Sequence, residues 1–262
     1  MAADARHFKR AHRRLLQASQ DSLPGLVFDL VESKARAAGR RPKYVQVGAH
    51  DGFLDDMMYS HVVRGTWDAL LLEPATEPFA RLQTLHKDRP WVKCLNVGAS
   101  SKSGTLTLHT LDPQARDRYP KWVPGAASLD RDTFFRLMSM RRDNADPNDI
   151  VEEKIDLRRL DDILVEQHAL DADGLIVDVE GHEADVFAGA RFDQFSPEFI
   201  LYENVHLDDA TDRRIRDQLE AANYVGFRLS KDTLCLNPSL LAPGLEAALA
   251  NLGAVSWQNL KS

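Results

Sequence analysis

Short runs of apolar residues alternate with amphipathic stretches along most of this chain, and few folds accept that rhythm. Tyr44-Val45-Gln46-Val47 stops at Gly48, Ala69-Leu70-Leu71-Leu72 stops at Glu73-Pro74, and Trp91 to Val97, Leu175 to Val179 and Phe199 to Tyr202 repeat the pattern. Between several of them Pro78 to Lys87, Leu160 to His168 and Glu183 to Ala190 show helical spacing. Brief strands without polar alternation, joined by helices, predict an α/β fold with a parallel sheet covered on both faces. Ala210 to Ala222 reads as a further helix. Tyr224 to Leu229 and Thr233 to Leu236 then flank Ser230-Lys231-Asp232 and predict an antiparallel hairpin that closes the sheet.

The flanks follow other patterns. Residues 6–38 read as helices, with Leu15, Leu16, Leu26, Val27, Leu30 and Val31 at helical spacing and Asp21 or Ser22 as an N-cap. Ser239 to Val255 reads as a helix with Pro243 near its start. This divides the chain into an N-terminal helical extension (1–43), a main domain (44–236) and a C-terminal helical tail (237–262). Residues 110–155 break the alternation with Pro113, Pro120, Pro124 and Pro147 and the aromatics Tyr119, Trp122, Phe134 and Phe135. We read them as a lid inserted in the main domain.

Composition removes several function classes. No apolar run approaches the ~20 residues of a membrane helix, and no apolar stretch follows the basic N-terminus as in a secretory signal. Two cysteines, Cys94 and Cys235, make no disulfide scaffold and predict reduced thiols in a cytoplasmic protein. The net charge of −7 is uneven, since residues 1–43 carry +6. The acidic remainder argues against nucleic-acid binding. A homo-oligomer is compatible with this composition.

The turn Val47-Gly48-Ala49-His50-Asp51-Gly52 follows the first strand, where an open parallel sheet binds its ligand. A glycine there lets backbone approach a ligand without a Cβ in the way. His50 stands where a dinucleotide fingerprint has its second glycine, so a pyrophosphate is disfavoured. No Tyr-x-x-x-Lys pair supports an oxidoreductase either. Glu73, at the end of the second strand, is spaced to accept hydrogen bonds from ribose hydroxyls. Together these features point to a nucleoside without a pyrophosphate, such as S-adenosyl-L-methionine.

Four blocks resemble the FkbM-type methyltransferase family: VQVGAHDG (Val45–Gly52), LLLEP (Leu70–Pro74), NVGAS with GTLTLH (Asn96–Ser100 and Gly104–His109), and IVDVEGHEADVFAGA (Ile176–Ala190). The resemblance implies a Rossmann-like class I fold with a mostly parallel seven-stranded sheet. It implies S-adenosylmethionine-dependent transfer, usually to a hydroxyl oxygen of a sugar or natural product. Cofactor contacts are then expected from Gln46, Gly48, Ala49, His50, Asp51, Gly52, Glu73, Pro74, Asn96, Gly98 and Asp178. Gln46 stands where the family often has an acid, His50 where Asn is common and Ile176 where Lys is common. A cofactor-binding module without turnover is the alternative, and the intact block around Asp178 argues against it.

Methyl transfer from a sulfonium is an in-line displacement, and an alcohol needs help to lose its proton. Asp178, Glu180, His182 and His206 are candidate bases, and Glu203 joins them at the end of the fifth strand. Asp178 with Glu203 and Asn204 resembles the ligand set of Mg²⁺-dependent small-molecule O-methyltransferases, and oxygen donors suit Mg²⁺. The metal-free reading is preferred, because the FkbM family carries no general metal assignment. Glu183 reads as a helix-start acid. The other histidines, His7, His12, His61, His86, His109 and His168, receive no role. Arg136, Arg141 and Arg142 beside the lid aromatics point to a polar acceptor, glycan-like or anionic.

Overall fold

The computed structural model describes residues 23–54, 56–120, 123, 126–140, 145–241, 245–251 and 254–257. The elements run α1 (residues 23–37), β1 (Lys43–Val47), α2 (Tyr59–Val63), β2 (Asp68–Leu72), α3 (Thr76–His86), β3 (Val92–Leu95), β4 (Gly98–Ser100) and β5 (Gly104–Leu111). They continue with β6 (Ala127–Ser128), α4 (Arg131–Ser139), β7 (Ile150–Arg159), α5 (Leu160–Glu166), β8 (Gly174–Val177) and α6 (Glu183–Ala188). The chain closes with β9 (Phe199–Glu203), α7 (Asp209–Ala221), β10 (Val225–Arg228), β11 (Asp232–Leu236), α8 (Leu245–Asn251) and β12 (Val255–Ser256).

The main sheet has eight strands in the order β12-β10-β11-β9-β8-β1-β2-β3. β3, β2, β1, β8 and β9 run parallel, and β11 lies antiparallel to both β9 and β10. The expected hairpin is therefore present, and the eighth strand comes from the tail. That tail is not only helical: β12 pairs with β10, because the chain after α8 returns to the open edge of the sheet.

Side-chain alternation explains why these strands carry almost no polar residue. Val45, Val47, Leu70, Leu72, Leu175 and Val177 point to one face and pack under α5, α6 and α7, through Ile163, Leu164, Val186, Phe187, Ile215 and Leu219. Tyr44, Ala69, Leu71, Ile176, Phe199 and Leu201 point to the other, against Leu23, Val27, Phe28 and Val31 of α1, Val62 of α2 and Leu82 of α3. Each large side chain fully buried this way contributes about 1.5–3 kcal/mol. The first 22 residues, with Asp21 and Ser22, lie outside the described residues. The described part of the expected N-terminal extension is a wall of the main core: Phe28 packs tilted on Phe199 at 5.0 Å between ring centroids.

Residues 98–159 form a second sheet, β4-β7-β5-β6. β5 and β7 pair antiparallel from Gly104–Leu157 to Leu111–Ile150. The long run Trp91 to Val97 thus ends as a strand at Leu95, and β4 leaves for the second sheet to pair with β7. The segment read as a lid begins and ends inside this hairpin. Its tip has a core of its own, in which Leu111, Ala115, Tyr119, Val123, Phe134 and Met138 pack together. Tyr119 donates to Asp149 at 2.7 Å and accepts from the Asp146 amide at 3.0 Å. Tyr119 and Phe134 therefore hold the tip together. Trp122, Arg141, Arg142, Pro124 and Pro243 lie outside the described residues.

Among the described residues no helix is long and apolar enough to cross a membrane. Cys94 and Cys235 are free thiols.

Candidate functional site

Strand order reverses between β1 and β8, since β2 and β3 extend one way and β9 the other. The carboxyl ends of β1 and β8 there flank a crevice where α/β sheets bind ligands. A cavity of about 670 Å³ opens at this point, within the range of small-molecule sites. Gly48, His50, Glu73, Pro74 and Gly98 line one side, Asp178, Glu180, His182, Glu203 and His206 another, and Leu108, Thr110, Leu111, Leu137, Val151 and Ile155 of the second sheet and its tip a third.

On the β1–β2 side backbone contacts set the geometry. Gly48 has φ +82°, and a Cβ there would stand 1.8 Å from the Asp178 carbonyl oxygen. Only glycine lets the β1 turn pass so close to the end of β8. The Gly48 and Ala49 amides both donate to the Leu72 carbonyl, at 3.0 and 2.9 Å. Glu73 is 6% exposed, and its two carboxylate oxygens accept from the His50 and Ala75 amides at 2.8 Å each. Burial nevertheless pushes its carboxyl up to about 7. The Asn96 amide donates to the Glu73 and Pro74 carbonyls at 2.9 Å, so it braces this turn from behind.

Not every expected cofactor residue reaches the large cavity. Asp51 accepts from the Phe53 and Leu54 amides, and Ala49 is packed in the core. Gly52, at φ +70°, turns the loop against Leu82 and His86. Gln46 lines a separate chamber of about 50 Å³ with Asp56, Asp178, Glu203 and Asp232. His50 (φ +47°) and Glu180 (φ +55°) hold left-handed conformations on the cavity wall. Such strained residues gather at functional sites.

The other side concentrates charge. β8 ends at Val177, so strand alternation does not aim Asp178 and Glu180; the loop does, through Glu180 and through Gly181 at φ +105°. Burial, then the charges of Glu203 and Glu180, push the Asp178 carboxyl well above the usual range. Burial, then Glu180, lift Glu203 to about 7. His206 Nε2 stands 2.9 Å from Glu180 Oε2 and 3.6 Å from Glu203 Oε2. The hydrogen bond to Glu180 raises the His206 imidazole to about 9.

Two expected roles meet a different geometry. Asn204 is 3% exposed, donates to the Thr233 hydroxyl at 3.0 Å and accepts from Arg228 at 3.4 Å. It lines neither cavity, because its amide completes a buried network between β9 and β11, so it does not join Asp178 and Glu203 as a metal ligand. His182 lines the cavity, but its Nε2 lies 3.1 Å from the Ser100 hydroxyl and its Nδ1 3.6 Å from Asp185. Both ring nitrogens thus face protein groups. Glu183 accepts from the Val179 and Gly181 amides as a helix-start acid does. The sequence reading missed Glu153, Lys231 and Arg116 on the wall; Arg116 is paired with Glu77 at 2.6 Å.

The family described as "Methyltransferase FkbM domain" matches residues 46–226. The chain belongs to the FkbM methyltransferase family. No curated protein matches the sequence. Among solved structures, methyltransferase FkbM from Methylobacillus flagellatus KT is similar over 75% of this chain at 18% identity, with a TM-score of 0.46. This chain spans 43% of that protein's length. A precorrin-6y C5,15-methyltransferase from Geobacter metallireducens GS-15 shares 9% identity over 75% of this chain and 82% of its own, with a TM-score of 0.37. The CMeT domain of the citrinin polyketide synthase shares 11% over 76% and 47%, with a TM-score of 0.39.

Proposed function

We propose that this FkbM methyltransferase methylates a hydroxyl oxygen on a sugar or natural-product acceptor, with the donor on the β1–β2 side of the cavity and the acceptor against the acids. The observation that carries this reading is the division of one cavity into a side shaped by backbone and a side of carboxylates, with the second sheet over both.

The donor side fits S-adenosylmethionine on three counts. Gly48 brings backbone to the crevice without a Cβ. Each Glu73 oxygen accepts one amide and keeps a lone pair for a ribose hydroxyl. His50 Nε2 is buried on the wall without a partner. Asp178, beside the Gly48 turn, is placed for the methionine end. When bound, the cofactor supplies the methyl group on its sulfonium. The chain's own work is to align the acceptor oxygen, exclude water under the second sheet, and receive the acceptor's proton at the carboxylates of the β8 and β9 ends.

The acceptor side combines apolar residues of the second sheet with these acids. Among the described lid cations, Arg116 pairs with Glu77 and Arg118 with Asp149, and Arg136 donates to the Thr133 hydroxyl. The test is methyl transfer from isotopically labelled S-adenosylmethionine to a panel of sugars, hydroxylated polyketides, amines and carbon acids. Label recovered as a methyl ether supports the reading. Label recovered only on nitrogen or carbon contradicts it.

A further inference from the structure

We propose that Glu180, Glu203 and His206 hold a divalent transition-metal ion at the acid end of the cavity. The three residues come from two loops that the sheet places side by side. Glu180 leaves the end of β8 in a left-handed conformation. Glu203 closes β9, and His206 follows three residues later. One ligand atom from each lies within 4.8 Å of the other two. Donors sharing one ion at bonds of about 2.1 Å stand no more than about 4.2 Å apart, so small side-chain rotations complete the site. All three residues line the cavity, which leaves the remaining coordination positions open toward the acceptor side.

Oxygens without donors are an independent sign that a cation belongs here. Glu203 Oε2 is buried and has no hydrogen-bond partner. Gln46 is 7% exposed, and its amide oxygen also has no partner. Both residues line a chamber of about 50 Å³ with Asp56, Asp178 and Asp232; it adjoins the cavity at Asp178 and Glu203, which line both, while Glu180 and His206 line the cavity alone. A buried acceptor left unmade costs about 1–3 kcal/mol. An imidazolium at His206 donates to Glu180 at 2.9 Å and stands 3.6 Å from Glu203 Oε2, beyond hydrogen-bond distance, so that oxygen still lacks a donor. A divalent ion on Glu203 supplies the missing partner.

The donor set also indicates the kind of ion. Two carboxylates and one imidazole suit Mn²⁺ or Zn²⁺, whereas Mg²⁺ and Ca²⁺ prefer oxygen alone. This differs from the Mg²⁺ set of Asp178, Glu203 and Asn204 that the sequence offers beside its preferred metal-free reading, and shares only Glu203 with it. The part such an ion would play, as a Lewis acid on the acceptor oxygen, rests on the proposed function; its binding does not.

The test is Mn²⁺ added to the full chain, with the unbound ion followed by electron paramagnetic resonance and no acceptor present. One ion per chain is expected. Glu180→Gln, Glu203→Gln and His206→Ala should each weaken binding at least tenfold, with the circular dichroism spectrum unchanged. Asp88→Asn, at an exposed acid elsewhere, should bind as the parent does. If a variant fails to fold, the other two carry the test. No binding at millimolar Mn²⁺, or equal binding in the three variants, overturns the proposal. Displacement of Mn²⁺ by S-adenosylhomocysteine also overturns it, because these acids would then serve the cofactor's ammonium group. A failure of S-adenosylhomocysteine to bind at all tells against the donor site and leaves the metal site standing.

Discussion

The two sides of the cavity are built on opposite principles. On the β1–β2 side backbone groups set the geometry: Glu73 takes two amides, Gly48 and Ala49 share the Leu72 carbonyl, and Asn96 braces the turn from behind. On the side formed by the ends of β8 and β9, Asp178 meets the like charges of Glu203, Glu180, Glu183 and Asp232. The first side has the rigidity needed to hold a cofactor in one pose. The second stores electrostatic tension that a ligand's charge or proton can relieve. Under the proposed function, substitutions on the two sides should fail differently.

The largest effect is expected where the two sides touch. Gly48→Ala puts a Cβ 1.8 Å from the Asp178 carbonyl oxygen at a positive φ, and should destabilise the chain by about 3 kcal/mol or more. Urea denaturation measures it. A variant as stable as the parent would mean that the β1 turn and the β8 end are not in contact.

Next comes the tip of the second sheet. Leu111 pairs with Ile150, so residues 112–149 can be replaced by a two-residue Asn-Gly turn. Turnover should fall about 100-fold through lost alignment of the acceptor, while affinity for S-adenosylhomocysteine stays within about threefold. Steady-state rates and calorimetry on the same preparation check this. Loss of both together would assign the tip to the cofactor.

Asp178→Asn sharpens the contrast between the sides. It removes a carboxylate repelled by its neighbours, so the melting temperature should rise by about 2–4 °C. Turnover should fall at least about tenfold. A variant that loses stability as well as activity would make Asp178 a structural residue. Arg116→Ala stands at the small end. Its pair with Glu77 is partly exposed, so stability should change by less than about 1 kcal/mol.

Much of the backbone-built side was legible in the sequence. A glycine after a buried strand, and an acid at the end of the next, mark the crevice by chain-local chemistry. The sheet was legible because strands buried on both faces carry almost no polar residues. The second sheet was not, because β5 and β7 are joined across the long excursion between Leu111 and Ile150. Nothing in the local pattern of Trp91 to Val97 tells that β4 departs to pair with β7. The acid side was legible only in part. Spacing named Glu203 and Asn204 alike, and a buried network with Thr233 and Arg228, far along the chain, turns Asn204 away. The left-handed turn at Glu180 brings it to His206, a contact that strand alternation cannot anticipate.

The division of labour between the sides is tested most directly by calorimetric titration of S-adenosylhomocysteine into the parent, Glu73→Ala and Glu180→Gln. The account predicts one site per chain in the parent and a loss of roughly 1–3 kcal/mol, about 5- to 150-fold, in Glu73→Ala. It predicts affinity within about threefold of the parent in Glu180→Gln. Parent-like binding in Glu73→Ala, or an equal loss in both variants, would contradict it.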